Sequence, residues 1–157
     1  MSETSGVLRV FVDSNVLTEG LFAPWSASRA VLILARAGVF RLVLSPYVEA
    51  EVERALLRQL AHNSEEGSRL IDDYALALKL LGPERTARIS QEEFDFHRSS
   101  IRHINDVPVL VTAIKTQPDW LVTANVEHFN ADVAKRTGLQ IATPREFLKR
   151  SRIRDLE

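Results

Sequence analysis

The sequence predicts an α/β domain of three layers, with a mainly parallel central sheet between helices, and three observations carry this. Strand-like apolar runs alternate with segments of helical periodicity, a pattern that favours βα units and a parallel sheet. The first run, Val7-Leu8-Arg9-Val10-Phe11-Val12, is short, β-branched and almost continuously apolar, as a strand buried on both faces must be. The chain's 157 residues, 45% hydrophobic and 26% charged, suffice for one core and contain no linker, repeat or low-complexity tract. One domain over residues 1–157 is therefore expected.

The first strand ends at Asp13. Residues 26–38 then place apolar side chains at 27, 30, 31, 34, 35 and 37, with Ser26 as N-cap and Gly38 as stop. Residues 40–44 form a second strand. Ser45-Pro46 opens a helix to about His62, because Ser caps the free amides and Pro has no N–H to leave unsatisfied. A second amphipathic stretch over 64–81, closed by Gly82-Pro83, makes a helical hairpin with it. A weak strand over 87–90 precedes a short helix from Gln91, with Ser90 and Glu93 in capping-box positions. A helix over 106–116, a strand over 120–123, a turn near Asn125, an edge strand over 139–142 and a helix over 144–149 complete the alternation.

Composition excludes several classes of function. Net charge is −1, from 20 Lys plus Arg against 21 Asp plus Glu, so an anionic substrate must be met by a local basic patch or a bound metal. With no cysteine there is no disulfide framework, thiol nucleophile or thiolate metal site, and a reducing cytoplasm fits. No apolar run of signal-peptide length precedes the first strand, and none approaches the ~20 residues of a membrane span, so neither secretion nor insertion is expected.

Candidate chemistry gathers at strand ends, where open α/β sheets collect their ligands. Asp13 ends the first strand, and it either caps the next helix or serves a site; Asn15 could orient it or bond the same turn. Of Glu49, Glu51 and Glu53, only one can point at a site. Glu51 borders the apolar stripe of Val48, Val52, Ala55 and Leu56, where a charge asks for a partner, whereas Glu49 and Glu53 share a solvated face. Asp106 before Pro108 reads equally as ordinary helix-start chemistry or as a carboxylate turned to the mouth of the sheet.

Val12-Asp13-Ser14-Asn15-Val16-Leu17 resembles the D-[ST]-N opening of PIN domains, and Ser45-Pro46 followed by Glu51 resembles the segment that supplies their second acid. Asp106, ahead of small and apolar residues ending at Ala113, is similar to their third acid. Leu121 to Phe129 is similar to the strand and N-x-x-[DH]-F turn of many VapC-type toxins. The correspondence runs in order over nearly the whole chain. It implies a PIN-like fold and an endoribonuclease in which Asp13, Glu51 and Asp106 hold Mg²⁺ or Mn²⁺, hard ions that prefer oxygen. It further implies an RNA substrate, a cognate antitoxin and a homodimer.

The sequence departs from the fullest pattern at Asn125, where many PIN domains carry a fourth Asp. Asn brings a carbonyl oxygen but no charge, so one tightly bound ion is expected, and a catalytically weak RNA-binding or protein-interaction module stays open as an alternative. Asp132 reads as a helical surface residue rather than a substitute. Thr123, at its strand's end, is placed to position a water or a carboxylate. A phosphatase-like fold with Asp13 as nucleophile is disfavoured by Asn15, which stands where a second acid is needed. None of the four histidines is assigned to catalysis, and the Phe-flanked His128 is expected to be structural. Arg145, Lys149, Arg150, Arg152 and Arg154 either track phosphates or form a solvated tail. Trp120 is expected in the core and Trp25 as an exposed contact.

Overall fold

In a computed structural model describing residues 6–151, the first strand, β1 (Arg9–Val12), forms the centre of the sheet, with Val10, Phe11 and Val12 wholly buried. It pairs in parallel with β2 (Arg41–Leu44) on one side and β4 (Trp120–Val122) on the other. The short strands β3 (Glu84–Arg85) and β5 (Ile141–Ala142) form the two edges, also parallel, giving the order β3-β2-β1-β4-β5. Eight α-helices among the described residues flank this all-parallel sheet in an α/β/α arrangement. Two of the C-terminal arginines, Arg152 and Arg154, lie outside the described residues.

The chain steps outward from β1 to β2 to β3, then crosses back to β4 on the other side of β1. The order therefore reverses between β1 and β4, and a crevice opens there at the carboxyl ends of the strands, the place where such sheets bind ligands. Asp13 and Thr123 are the residues that follow those two strands.

Several elements stand where the sequence puts them. Helix α2 (Ala27–Arg36) is capped by Ser26, which accepts the Arg29 amide, and Gly38 takes the positive φ of 83° that ends it. Helices α3 (Pro46–His62) and α4 (Ser64–Leu81) form the hairpin. The capping box of Ser90 and Glu93 starts α5 (Gln91–His97), and α6 (Val107–Thr116) and α8 (Pro144–Arg150) follow as expected. Trp120 is half-buried with its ring edge-on to Phe147, while Trp25 is 99% exposed.

Two elements differ. Residues 14–25, left unassigned from sequence, contain α1 (Ser14–Phe22). The interior Gly20 hid it, yet Gly20 is where α1 meets α2: a Cβ there would lie 2.5 Å from Leu32 Cδ1. The strand expected over 87–90 instead forms at Glu84–Arg85. The ladder ends when Thr86 N–H donates to the Leu44 carbonyl, and the amide of Ile89 donates to the Tyr47 hydroxyl rather than to a strand. A short helix, α7 (Ala131–Thr137), carries Asp132, exposed and paired with Arg136 at 3.0 Å, which makes it a surface residue.

The α3–α4 hairpin depends on Gly67, whose added Cβ would stand 2.3 Å from Leu60 Cα and 2.6 Å from Leu60 N. Backbone cannot yield as a flexible side chain does. Gly67→Ala is therefore expected to lower unfolding free energy by about 1–3 kcal/mol, the usual cost of overpacking, in a denaturant titration. Wild-type stability in that variant would show that the helices do not pack this closely.

Candidate functional site

Asp13 is 5% exposed and works in two ways at once. Its extended backbone, φ −83° and ψ 165°, places it as N-cap of α1, where a carboxylate oxygen accepts the Ser14 amide at 2.8 Å. The other oxygen, Oδ2, accepts the Thr123 hydroxyl at 2.8 Å and the Asn15 amide at 3.1 Å. The capping and site readings thus describe one side chain. Thr123, wholly buried, also accepts the Asn125 amide at 3.0 Å, and Asn15 Oδ1 accepts the Ala124 amide at 2.9 Å. The start of α1 is stitched across the crevice to the end of β4.

Burial pushes the Asp13 carboxyl above its ordinary range. The hydrogen bonds from Thr123 and from the Ser14 amide pull it back, and the nearby charges of Glu51 and Asp106 push it up again. Both acids are therefore electrostatic neighbours of Asp13.

Glu51 rides on α3 beside Val48, Val52 and Leu56, all buried, and its Oε2 accepts the Ser14 hydroxyl at 2.6 Å. Ser14 thus links the first acid to the second. The face assigned to Glu49 and Glu53 needs correction: Glu53 is exposed, but Glu49 is only 20% exposed and pairs with Arg85 of β3. The hairpin brings the sheet edge over that face.

Asp106 closes a 3-10 turn, Ile104–Asp106, immediately before α6, and its side chain makes no capping bond. Its Oδ2 lies 2.6 Å from Nδ1 of His128, whose ring stacks on that of His103 with centroids 3.6 Å apart and planes 18° apart. Sequence reasoning gave these histidines no part in the site. The only available signal was that the turn holding His128 follows β4, the strand beside β1.

Glu51 and Asp106 share one depression of about 590 Å³, with Tyr47, Ala50, Arg54 and Asn105. A second, of about 260 Å³, opens on the other side of Glu51 against Ser14, Asn15 and Thr18. The fold thus brings Asp13, Asn15 and Thr123 into direct contact, attaches Glu51 through Ser14, and sets Asp106 in one depression with Glu51. Asn125 joins through its backbone amide. Among the described residues, no group of three His, Asp or Glu side chains is drawn tightly enough to clasp a metal as they stand. The donors are nonetheless all oxygen, and hard divalent ions that keep several waters need few carboxylates.

Residues 9–127, well over half of the chain, match the pattern of the PIN domain. No curated protein matches the sequence. The fold is similar to a chain of VapBC2 from Rickettsia felis bound to a DNA fragment from their promoter, with a TM-score of 0.63 and 17% identity over 87% of this chain and 98% of that one. It is also similar to a chain of FitAcB from Neisseria gonorrhoeae, with a TM-score of 0.64 and 16% identity over 86% and 97%. Because the matched stretch runs from β1 past β4 and the α/β/α architecture agrees with it, the chain belongs to the PIN domain family.

Proposed function

We propose that this chain, acting as one domain, is a Mg²⁺- or Mn²⁺-dependent endoribonuclease that cleaves single-stranded RNA, and the toxin of a type II toxin–antitoxin pair. The observation that carries this reading is the buried Asp13 carboxylate at the β1–β4 crevice, joined through Ser14 to Glu51, which shares a depression with Asp106. Asp13, Glu51 and Asp106 would hold the ion. When bound, such an ion lowers the pKa of an attacking water and offsets charge on the scissile phosphate.

The chain's own residues hold these acids in place. Thr123 and Asn15 orient Asp13, Ser14 orients Glu51, and His128 orients Asp106. Asn125, bonded to Thr123 through its backbone amide, brings a neutral side chain where a fourth acid would add charge, which supports one tightly held ion. It also favours the second reading, a PIN fold with weak catalysis that binds RNA or a protein. The likeness to VapBC2 and FitAcB supports a cognate antitoxin as partner, the resemblance to VapC-type toxins adds a homodimer, and a chain without cysteine fits a reducing cytoplasm. Among the described residues no helix is long and apolar enough to cross a membrane.

Three outcomes are expected. Cleavage of single-stranded RNA in Mg²⁺ or Mn²⁺ should fall about 10–100-fold in Thr123→Val, the usual cost of losing a carboxylate's outer hydrogen bond, and further in Asp13→Asn, Glu51→Gln and Asp106→Asn. Full activity in any of the three acid variants would contradict the assignment. Mn²⁺ should raise the melting temperature of the wild type, by the equivalent of about 2.7 kcal/mol at a hundred times Kd, and much less in Asp13→Asn. No response in the wild type would favour the weakly catalytic module.

The third outcome concerns pH. Because the folded state holds the Asp13 proton more tightly than the unfolded chain, it binds more protons between the ordinary carboxylate range and the raised value. Stability of the metal-free protein should therefore fall as pH rises through that window. Denaturant unfolding in chelator should show this decline in the wild type and a flatter profile in Asp13→Asn. Equal slopes would mean that Asp13 costs the fold nothing.

A further inference from the structure

The site presents a problem for its own substrate, since the carboxylates of Glu51 and Asp106 at one mouth, with Asp13 buried behind them, repel a phosphate backbone and the whole molecule carries no positive excess to offset this. Besides a bound metal at the acids themselves, relief comes from cationic side chains beside them. Several arginines serve the fold: Arg9 pairs with Glu84, Arg85 with Glu49, Arg136 with Asp132 and Arg150 with Glu146, while Arg29 donates to the carbonyls of Gly20 and Leu21.

Arg54 and Arg58 are different. Both are exposed on α3, and among the described residues neither lies within ion-pair distance of a carboxylate. Four residues apart, they occupy one face of the helix, about 6 Å apart along its axis. That face is the one holding Glu51. Arg54 lines both depressions, so it stands between the mouth shared by Glu51 and Asp106 and the hollow formed by Ser14, Asn15 and Thr18; Arg58 lines only the hollow, one turn further out.

We infer that Arg54 and Arg58 form a binding site for successive backbone phosphates of a single-stranded nucleic acid, guiding it from the hollow beside α1 across Glu51 to the acids. The inference rests on the nuclease reading for its direction of travel. Guanidinium groups suit the task, because their planar fork pairs with phosphate oxygens in a bidentate manner. The hollow is bordered by polar side chains, Ser14, Asn15 and Thr18, whose donors are engaged with Glu51, Asp13 and the α1 backbone, so the phosphate contacts fall to the two guanidinium groups. An acidic polypeptide is the other class of ligand such a pair could take. The position beside Glu51 and Asp106 favours the phosphate, since only a nucleic acid substrate must come to those acids.

The test uses the full chain carrying Asp106→Asn to suppress cleavage, with a fluorescent single-stranded oligoribonucleotide titrated in Mg²⁺ at several salt concentrations. Adding Arg54→Gln and Arg58→Gln should weaken binding and make the plot of log affinity against log salt shallower by about 1.4, or ~0.7 for each phosphate that is no longer neutralised. Lysines at both positions should restore most of that slope. The Mn²⁺ shift in melting temperature should be the same in Arg54→Gln/Arg58→Gln as in the wild type, both with Asp106 intact. An unchanged salt slope would overturn the inference, as would loss of the Mn²⁺ response, which would mean that the arginines only support the acids. Binding of polyglutamate that depends on the two arginines, with RNA binding unaffected, would reassign the pair to a protein and overturn it too. An arginine-dependent slope in a chain that cleaves nothing would leave this site standing and remove the nuclease reading. Cleavage together with an unchanged slope would do the reverse.

Discussion

A carboxylate buried at the carboxyl end of the sheet's central strand is the constraint around which this structure is arranged. Asp13 follows the central strand, is almost inaccessible to water, and is kept there by Thr123 from the neighbouring strand and by the first amide of α1. Each bond answers part of the cost of taking a charged oxygen out of water, yet the net effect still lifts the carboxyl above its ordinary range. A domain built only for stability would place an apolar residue or a threonine there. The cost makes sense where the charge has work to do, at the crevice in which the strand order reverses.

The rest of the site extends from that residue by short links. Ser14 joins Asp13 to Glu51 across two helices, and Asn15 joins the same turn to Ala124. Helix α3 can deliver Glu51 because Ser45 and Pro46 set its start at the end of β2, and the buried stripe of Val48, Val52 and Leu56 fixes its rotation. Asp106 reaches the mouth by a different route, on a tight turn before α6, with His128 holding one oxygen. Proximity of the three acids raises their mutual repulsion, and in the proposed function a divalent cation offsets it.

Most of this was legible in the sequence wherever a local rule governs the outcome. The continuous apolar run of β1, the Ser-Pro start of α3, the capping box of α5 and the Gly82-Pro83 stop depend on neighbouring residues alone. What escaped depended on contacts distant in sequence. Gly20 looks like a break in a helix until Leu32 is seen against it, and Glu49 looks solvated until Arg85 arrives from β3. The strand at Glu84–Arg85 exists because β2 offers an edge, not because those residues favour extension. Likewise, the pairing of His128 with Asp106 spans 22 residues and the crevice, so no spacing in the chain announces it. The three acids were named because Asp13 lies at the end of a strand, Glu51 at the border of a helix stripe and Asp106 at the start of a helix, and the family resemblance joined them.

The central claim is that Asp13, Glu51 and Asp106 serve a common cation. Crystals of the full chain grown with Mn²⁺ and measured near the manganese absorption edge would test it most directly. The account predicts an anomalous peak within coordination distance, about 2.0–2.5 Å, of carboxylate oxygens from at least two of these acids, Asp13 among them. A peak bound elsewhere on the molecule, or none at saturating Mn²⁺, would contradict it.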